Sequence, residues 1–200
     1  MKFFLTFLGI ALANALTINS VSAADADGQF AIKGVGNATC RQYLAETSKS
    51  SPNSFLFAGW LNGYLTAQNQ HLKNTFDVTS WETINTLANF LGAYCQNNLD
   101  RSFYLAAATM LNALYDQHVP ALSKVLTVGK GRQQVRVYEE VLRRAQNKLA
   151  ELGYLKGKAD GRFGPGTRAA ILAYQKKLKL EETGVPDQAT LFKLLRQGAK

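Results

Sequence analysis

DGRFGPGTRAAILAYQKKLKL, residues 160–180, is a glycine-rich turn running straight into a helical pattern, and its reading decides the fold of the C-terminal third. Asp160 can hydrogen-bond the backbone of its own turn, and Gly161 and Gly164 permit dihedral angles closed to other residues. Pro165 suits the first turn of a helix, where its missing amide proton is no loss. Phe163 stands between the glycines, where it can fold inward as a plug. The stretch lacks the Gly-Lys-Ser/Thr ending of a phosphate-binding P-loop, and the alternating acidic ligands and closing glutamate of a calcium loop. The spacing therefore predicts a structural corner.

Outward from the corner, apolar residues recur at three and four positions. Ala170, Ile171, Tyr174 and Leu178 mark the inward side of the helix that Pro165 starts, and Tyr138, Leu142, Ala145, Leu149 and Leu152 mark one before it, ending at Gly153. Asp187 reads as the N-cap of a third helix, with Leu191, Leu194 and Leu195 inside. Further upstream, helices are expected over residues 40–47, 52–71 and 102–115. Another is expected behind Thr79-Ser80-Trp81-Glu82, a capping-box pattern with Thr79 as N-cap. Gly129-Lys130-Gly131-Arg132 looks like a flexible joint. The expected fold is all-α: a signal peptide over 1–23, a four-helix domain over 24–117, a linker over 118–134 and a three-helix domain over 135–200.

The first residues carry their own signal. Lys2 precedes a mostly apolar run from Phe3 to Leu16, then a more polar stretch and Val21-Ser22-Ala23. This order predicts a secretory signal cleaved after Ala23, and the run is shorter than the ~20 residues a bilayer span needs. The mature protein is expected in the periplasm without a transmembrane segment. Export makes the two cysteines, Cys40 and Cys95, one structural disulfide. The histidines, His71 and His118, make no zinc spacing with them, so neither a metal site nor a cofactor is expected.

Charge is uneven. Residues 24–130 carry seven basic and seven acidic side chains, whereas 131–200 carry fifteen and seven, 15 − 7 = +8 out of a total of +9. Such asymmetry points to a polyanionic partner or to a solvated basic surface. An exported protein seldom meets nucleic acid, so an anionic cell envelope is the better fit.

The residues from about 137 to 197 resemble the type-1 peptidoglycan-binding domain. The resemblance rests on Gln146 with Leu149, Leu152-Gly153-Tyr154, Asp160 to Thr167, Ala170, Tyr174-Gln175, Leu180, Thr183-Gly184, Asp187, Thr190-Leu191 and Leu195. It implies a three-helix module that attaches to peptidoglycan, through its peptide stems, without catalysis. Arg162, Phe163, Gly164, Thr167, Arg168 and Tyr174 are the candidate binding residues; Asp160, Gly161, Pro165 and Asp187 are the candidate turn-makers. Each also has a plain structural reading: Phe163 and the ring of Tyr174 as core, Arg162, Thr167 and Arg168 as solvated surface. Ala145 departs from the family, which carries a larger aliphatic residue there.

Residues 39–115 bear a fainter resemblance to small periplasmic helical proteins with one disulfide, the HdeA-like acid-stress chaperones and the immunity proteins against type VI amidase effectors. It rests on Thr39-Cys40, Trp60 to Tyr64, Asp77, Trp81 and Tyr94 to Asn98. Gly63 would let two helices approach closely, and Trp60 and Tyr64 are core or interface aromatics. The region has no His-Glu-x-x-His set and no Gly-x-Ser-x-Gly elbow. Glu46 and Glu82 could be imagined as an acid/base pair, but no spacing favours it. The expected protein is therefore a non-enzymatic adaptor or inhibitor holding another periplasmic protein through residues 39–115. A stress chaperone and a peptidoglycan hydrolase are the alternatives.

Overall fold

Thr39 opens the first helix, α1 (Cys40–Ser48), as half of a capping box: its hydroxyl accepts from Gln42 N at 3.2 Å while its own amide donates to Gln42 Oε1 at 2.8 Å. Helices α2 (Asn53–His71), α3 (Ile84–Gln96) and α4 (Phe103–Leu114) follow. The computed structural model describes residues 24–49 and 51–197, so the expected signal peptide lies outside the described residues. Contacts divide the chain after Ala31. Among the described residues of the first unit, Asp25 Oδ1 closes a turn by accepting from Asp27 N and Gln29 N.

Within residues 32–200, helices α1 to α4 enclose one apolar core. The rings of Tyr43, Phe57 and Phe103 meet at 4.9–5.2 Å, and the Cys40–Cys95 disulfide is fully buried beside them. Closing a loop across 55 positions restricts the unfolded chain by about 4 kcal/mol in the chain-entropy picture. The close backbone approach expected at Gly63 occurs elsewhere. A Cβ on Gly63 would meet nothing within 4 Å, whereas one on Gly36 would fall 2.4 Å from the Trp60 ring. Trp60 lies partly buried there, stacked on Tyr64 and donating from Nε1 to Lys33 O at 2.8 Å.

The start of α3 corrects the expected cap. Thr83, not Thr79, is the N-cap, accepting from Thr86 N at 3.3 Å. Thr79 instead leans on Asp77 Oδ1, which accepts from both its amide and its hydroxyl.

The all-α expectation holds for the helices but omits a two-stranded antiparallel sheet. Strands β1 (Val125–Val128) and β2 (Val135–Tyr138) pair from Val125 with Tyr138 to Val128 with Val135. The stretch expected to be a flexible joint, residues 129–132, is their hairpin turn. Gly129 (φ +89°) makes it possible, because a Cβ there would lie 2.3 Å from Gln133 O and 2.9 Å from Val185 Cγ1.

Strand β2 leads into α5 (Glu139–Glu151), whose first-turn carboxylates suit the positive end of a helix. Then come α6 (Pro165–Lys177) and α7 (Gln188–Leu191), the last continuing as a wider π-type turn through Gln197. Val141, Leu142, Ala145, Leu149, Ile171 and Leu194 are fully buried in this second core. Trp81, from the helical region, and Val119, just after it, belong to the same cluster, so the two regions share an interior. Polar ties reinforce it. Gln188 Nε2 donates to Trp81 O at 2.6 Å, Tyr138 Oη to Asp77 Oδ2 at 3.0 Å, and Arg144 to the carbonyls of Gln117 and His118. No helix among the described residues is long and apolar enough to cross a membrane.

Candidate functional site: the glycine corner and its cleft

A buried glutamine side chain shapes the corner between α5 and α6. Gln146, 1% exposed, accepts from Gly161 N at 2.7 Å and places its amide nitrogen 2.9 Å from both Arg162 O and Thr167 Oγ1 and 3.3 Å from Asp160 Oδ1. Gly161 (φ +74°) is favoured on steric grounds too, since a Cβ would sit 2.7 Å from Glu139 Cγ and force that side chain to move. Asp160 accepts from Arg162 N at 2.9 Å, and that amide, with help from Gln146, holds its carboxyl below the ordinary aspartate range. Pro165 occupies the first position of α6, with Gly164 as its extended N-cap.

The corner between α6 and α7 repeats the device. Gln175, fully buried, accepts from Gly184 N at 2.9 Å and lies 2.8 Å from both Thr183 Oγ1 and Thr190 Oγ1 and 3.2 Å from Val185 O. Asp187 caps α7 by accepting from Thr190 N at 2.8 Å. Each buried glutamine thus bonds a positive-φ glycine amide, the carbonyl one residue later and a threonine six residues beyond the glycine. A buried amide group with both donor and acceptor engaged specifies one backbone path, because any other leaves polar atoms unpaired.

These networks sort the candidate binding residues. Thr167 is 5% exposed and its hydroxyl belongs to the Gln146 network. Tyr174 packs in the second core with its ring edge against Tyr154, and burial first, then Tyr154, raises its phenol pKa. Both sit as parts of the scaffold. Arg162 is exposed on the outside of the corner. Phe163 is half-buried, packed against the core on one side and lining open clefts on the other.

Phe163 and Arg168 come together at two neighbouring clefts. The smaller, of about 360 Å³, is walled by Gly164, Pro165, Ala169 and Leu172 on the first turns of α6. The larger, of about 580 Å³, lies between the corner and the hairpin turn, where Lys130 and Gln133 face Phe163 and Arg168 over a floor of Val128 and Val185. Arg168 is aimed by Gly184: a Cβ there would press on Arg168 Cγ at 3.1 Å and Nε at 3.2 Å. Lys130 and Gln133 escaped the sequence reading. The signal lay in Val125-Leu-Thr-Val and Val135-Arg-Val-Tyr, two short β-branched runs flanking a glycine pair, a hairpin pattern.

The candidate carboxylates of the helical region are each tied into structure. Glu46 accepts from the Ser51 hydroxyl and from Asn53 Nδ2, bonds that lower its pKa in that order. Glu82 is paired with Arg196 at 2.9 Å. No group of three or more potential metal ligands occurs among the described residues.

Comparison with known proteins agrees with this geometry. The sequence model of the family described as "Putative peptidoglycan binding domain" matches residues 139–194, which take in both glutamine corners. Two curated proteins share a segment of 52 residues, 26% of this chain. Each is named "Putative OxPP cycle protein OpcA"; the one from Synechococcus elongatus is 54% identical and the one from Nostoc punctiforme 48%. The segment covers only 12% and 11% of those proteins, so the likeness is confined to a small part of them. No solved structure matches significantly.

Proposed function

We propose that the protein is a non-catalytic component of the cell envelope that attaches to peptidoglycan through residues 135–200 and presents residues 24–117 to another periplasmic protein. The observation that carries this reading is the family match over both corners, beside two clefts that share a cationic side chain, Arg168, with no carboxylate partner among the described residues. Peptidoglycan stems are anionic, and the basic excess of the C-terminal region supplies the complement. Exposed cations each add about 1 kcal/mol or less, so attachment is weak and falls with salt. The buried disulfide and the cleavable leader expected over residues 1–23 both suit an oxidising, extracytoplasmic compartment.

The presenting surface has a candidate in α2. Phe55 and Leu56 are 77% and 58% exposed, and Phe55 borders an apolar cleft of about 260 Å³ between α1, α2 and α3. Side chains of this size left in water favour an interaction role. In our reading the division around residues 118–134 separates a presenting region from an attaching one, although both share an interior.

The test is sedimentation of the full chain with purified sacculi, with and without salt, followed by crosslinking in intact cells. Retention at low salt and release at high salt supports the reading, and recovery of one defined partner supports the adaptor role. A chain that stays in the supernatant in dilute buffer overturns it. A lysis band against embedded peptidoglycan, lost on Glu46→Gln or Glu82→Gln, would replace it with a hydrolase.

A further inference from the structure

We infer that the binding site of this chain is composite: the β1–β2 turn supplies one wall, and the larger cleft takes the free carboxylate end of a murein stem peptide. The inference rests on the peptidoglycan reading and adds residues that lie outside the matched family segment, since Lys130 and Gln133 precede residue 139.

Three observations carry it. First, the turn is fixed in place. Gly129 is held at φ +89° with Val185 so close that any side chain at 129 would collide with it, so the turn rests directly on the second corner. Second, the cleft is cationic without a counter-charge. Lys130 and Arg168 both line it, no acidic residue does, and neither forms an ion pair among the described residues. Third, the floor is apolar. Val128 and Val185 are buried there and Phe163 forms a side, leaving room for a methyl-sized group next to the charged one.

Those features define the ligand. A guanidinium and an ammonium lining one cleft favour a carboxylate, with arginine able to grip both oxygens. An adjoining apolar floor favours a small aliphatic residue carrying that carboxylate, and Gln133 offers an amide to the peptide backbone. A stem peptide ending in D-alanine joins these parts within one residue: a terminal carboxylate and a methyl group on the same carbon. The glycan strand, neutral along most of its length, matches the cleft less well.

The test uses the full chain and two soluble probes, an N-acetylated tripeptide ending in D-Ala-D-Ala and the same peptide with an amidated C-terminus, alongside sacculus sedimentation. The acid should bind, and the amide at least about tenfold more weakly. Lys130→Gln and Arg168→Gln should each weaken the acid by about three- to tenfold, while Lys177→Gln, an exposed cation outside the cleft, should not. Unchanged thermal unfolding of the variants separates lost binding from lost folding. Equal binding of acid and amide, or an unaffected Lys130→Gln, overturns the inference while retention on sacculi leaves the wall reading standing. Binding of the acid by a chain that ignores sacculi points to a protein tail as the ligand and overturns both.

Discussion

Glu82 and Arg196 form an ion pair at 2.9 Å in which the carboxylate side chain is fully shielded from water and the guanidinium is 13% exposed. One partner lies just before α3, the other in the last turn of the described chain. Arg196 also reaches Asp116 Oδ1 at 2.8 Å and Leu114 O at 3.2 Å, so one side chain stitches the C-terminal turn onto two places in the helical region.

A buried charge stripped of its partner is costly, so Arg196→Met should destabilise the chain by about 3–5 kcal/mol. The double variant Glu82→Met with Arg196→Met should recover most of that loss, because it removes both desolvated charges. Urea denaturation of the two singles and the double checks this. Additive losses would show that the two side chains act independently.

The paired corners make a second prediction. Gln146→Leu keeps the approximate volume but strands the Gly161 amide and takes a donor from the Arg162 carbonyl and the Thr167 hydroxyl, which keep a 3.4 Å bond to each other. Gln175→Leu strands the Gly184 amide and takes a donor from the Thr190 and Thr183 hydroxyls, while Val185 O keeps the Asp187 amide at 2.8 Å. Each should cost about 2–4 kcal/mol by chemical denaturation, with similar values at the two sites.

Glycines in the corner are not equivalent. Gly161→Ala forces a side chain into a positive-φ position and onto Glu139, and should cost about 1–3 kcal/mol. At Gly166 an added Cβ meets nothing within 4 Å, so Gly166→Ala should leave the melting temperature unchanged or raise stability by up to about 1 kcal/mol.

Asp160 ties the corner to pH. Its folded pKa is depressed, chiefly by the Arg162 amide, so its stabilising contribution is complete above the unfolded value of about 4. That contribution is lost as pH falls through the lower folded value. The side-chain carboxyl carbon should therefore titrate below the usual aspartate range in a nuclear magnetic resonance experiment, and Asp160→Asn should flatten the acid limb of the stability curve. An ordinary titration midpoint would count against the bond.

Local rules made much of this molecule legible. Pro165 and Asp187 begin helices where the sequence places them, because a proline at the first position and an aspartate N-cap act through backbone atoms a few residues away. Cys40 and Cys95 pair, as an isolated pair of cysteines read as exported should. The threonine cap of α3 was misplaced because Thr79 and Thr83 offer the same hydroxyl, and only the packing of Trp81 into the second core carries the chain past the first of them. The hairpin was missed for a related reason. Four-residue strands carry a weak pattern, and their pairing partner decides whether they form at all.

From its sequence alone, then, this chain determined most of its helices and the glycine turns, set by short-range backbone chemistry, and its cross-link, set by there being one pair of cysteines to join. Tertiary structure decided which side chains meet across the chain: Glu82 with Arg196, Gly129 with Val185, and Lys130 in one cleft with Arg168. Such contacts depend on the path of every element between the partners, and no local spacing encodes that path.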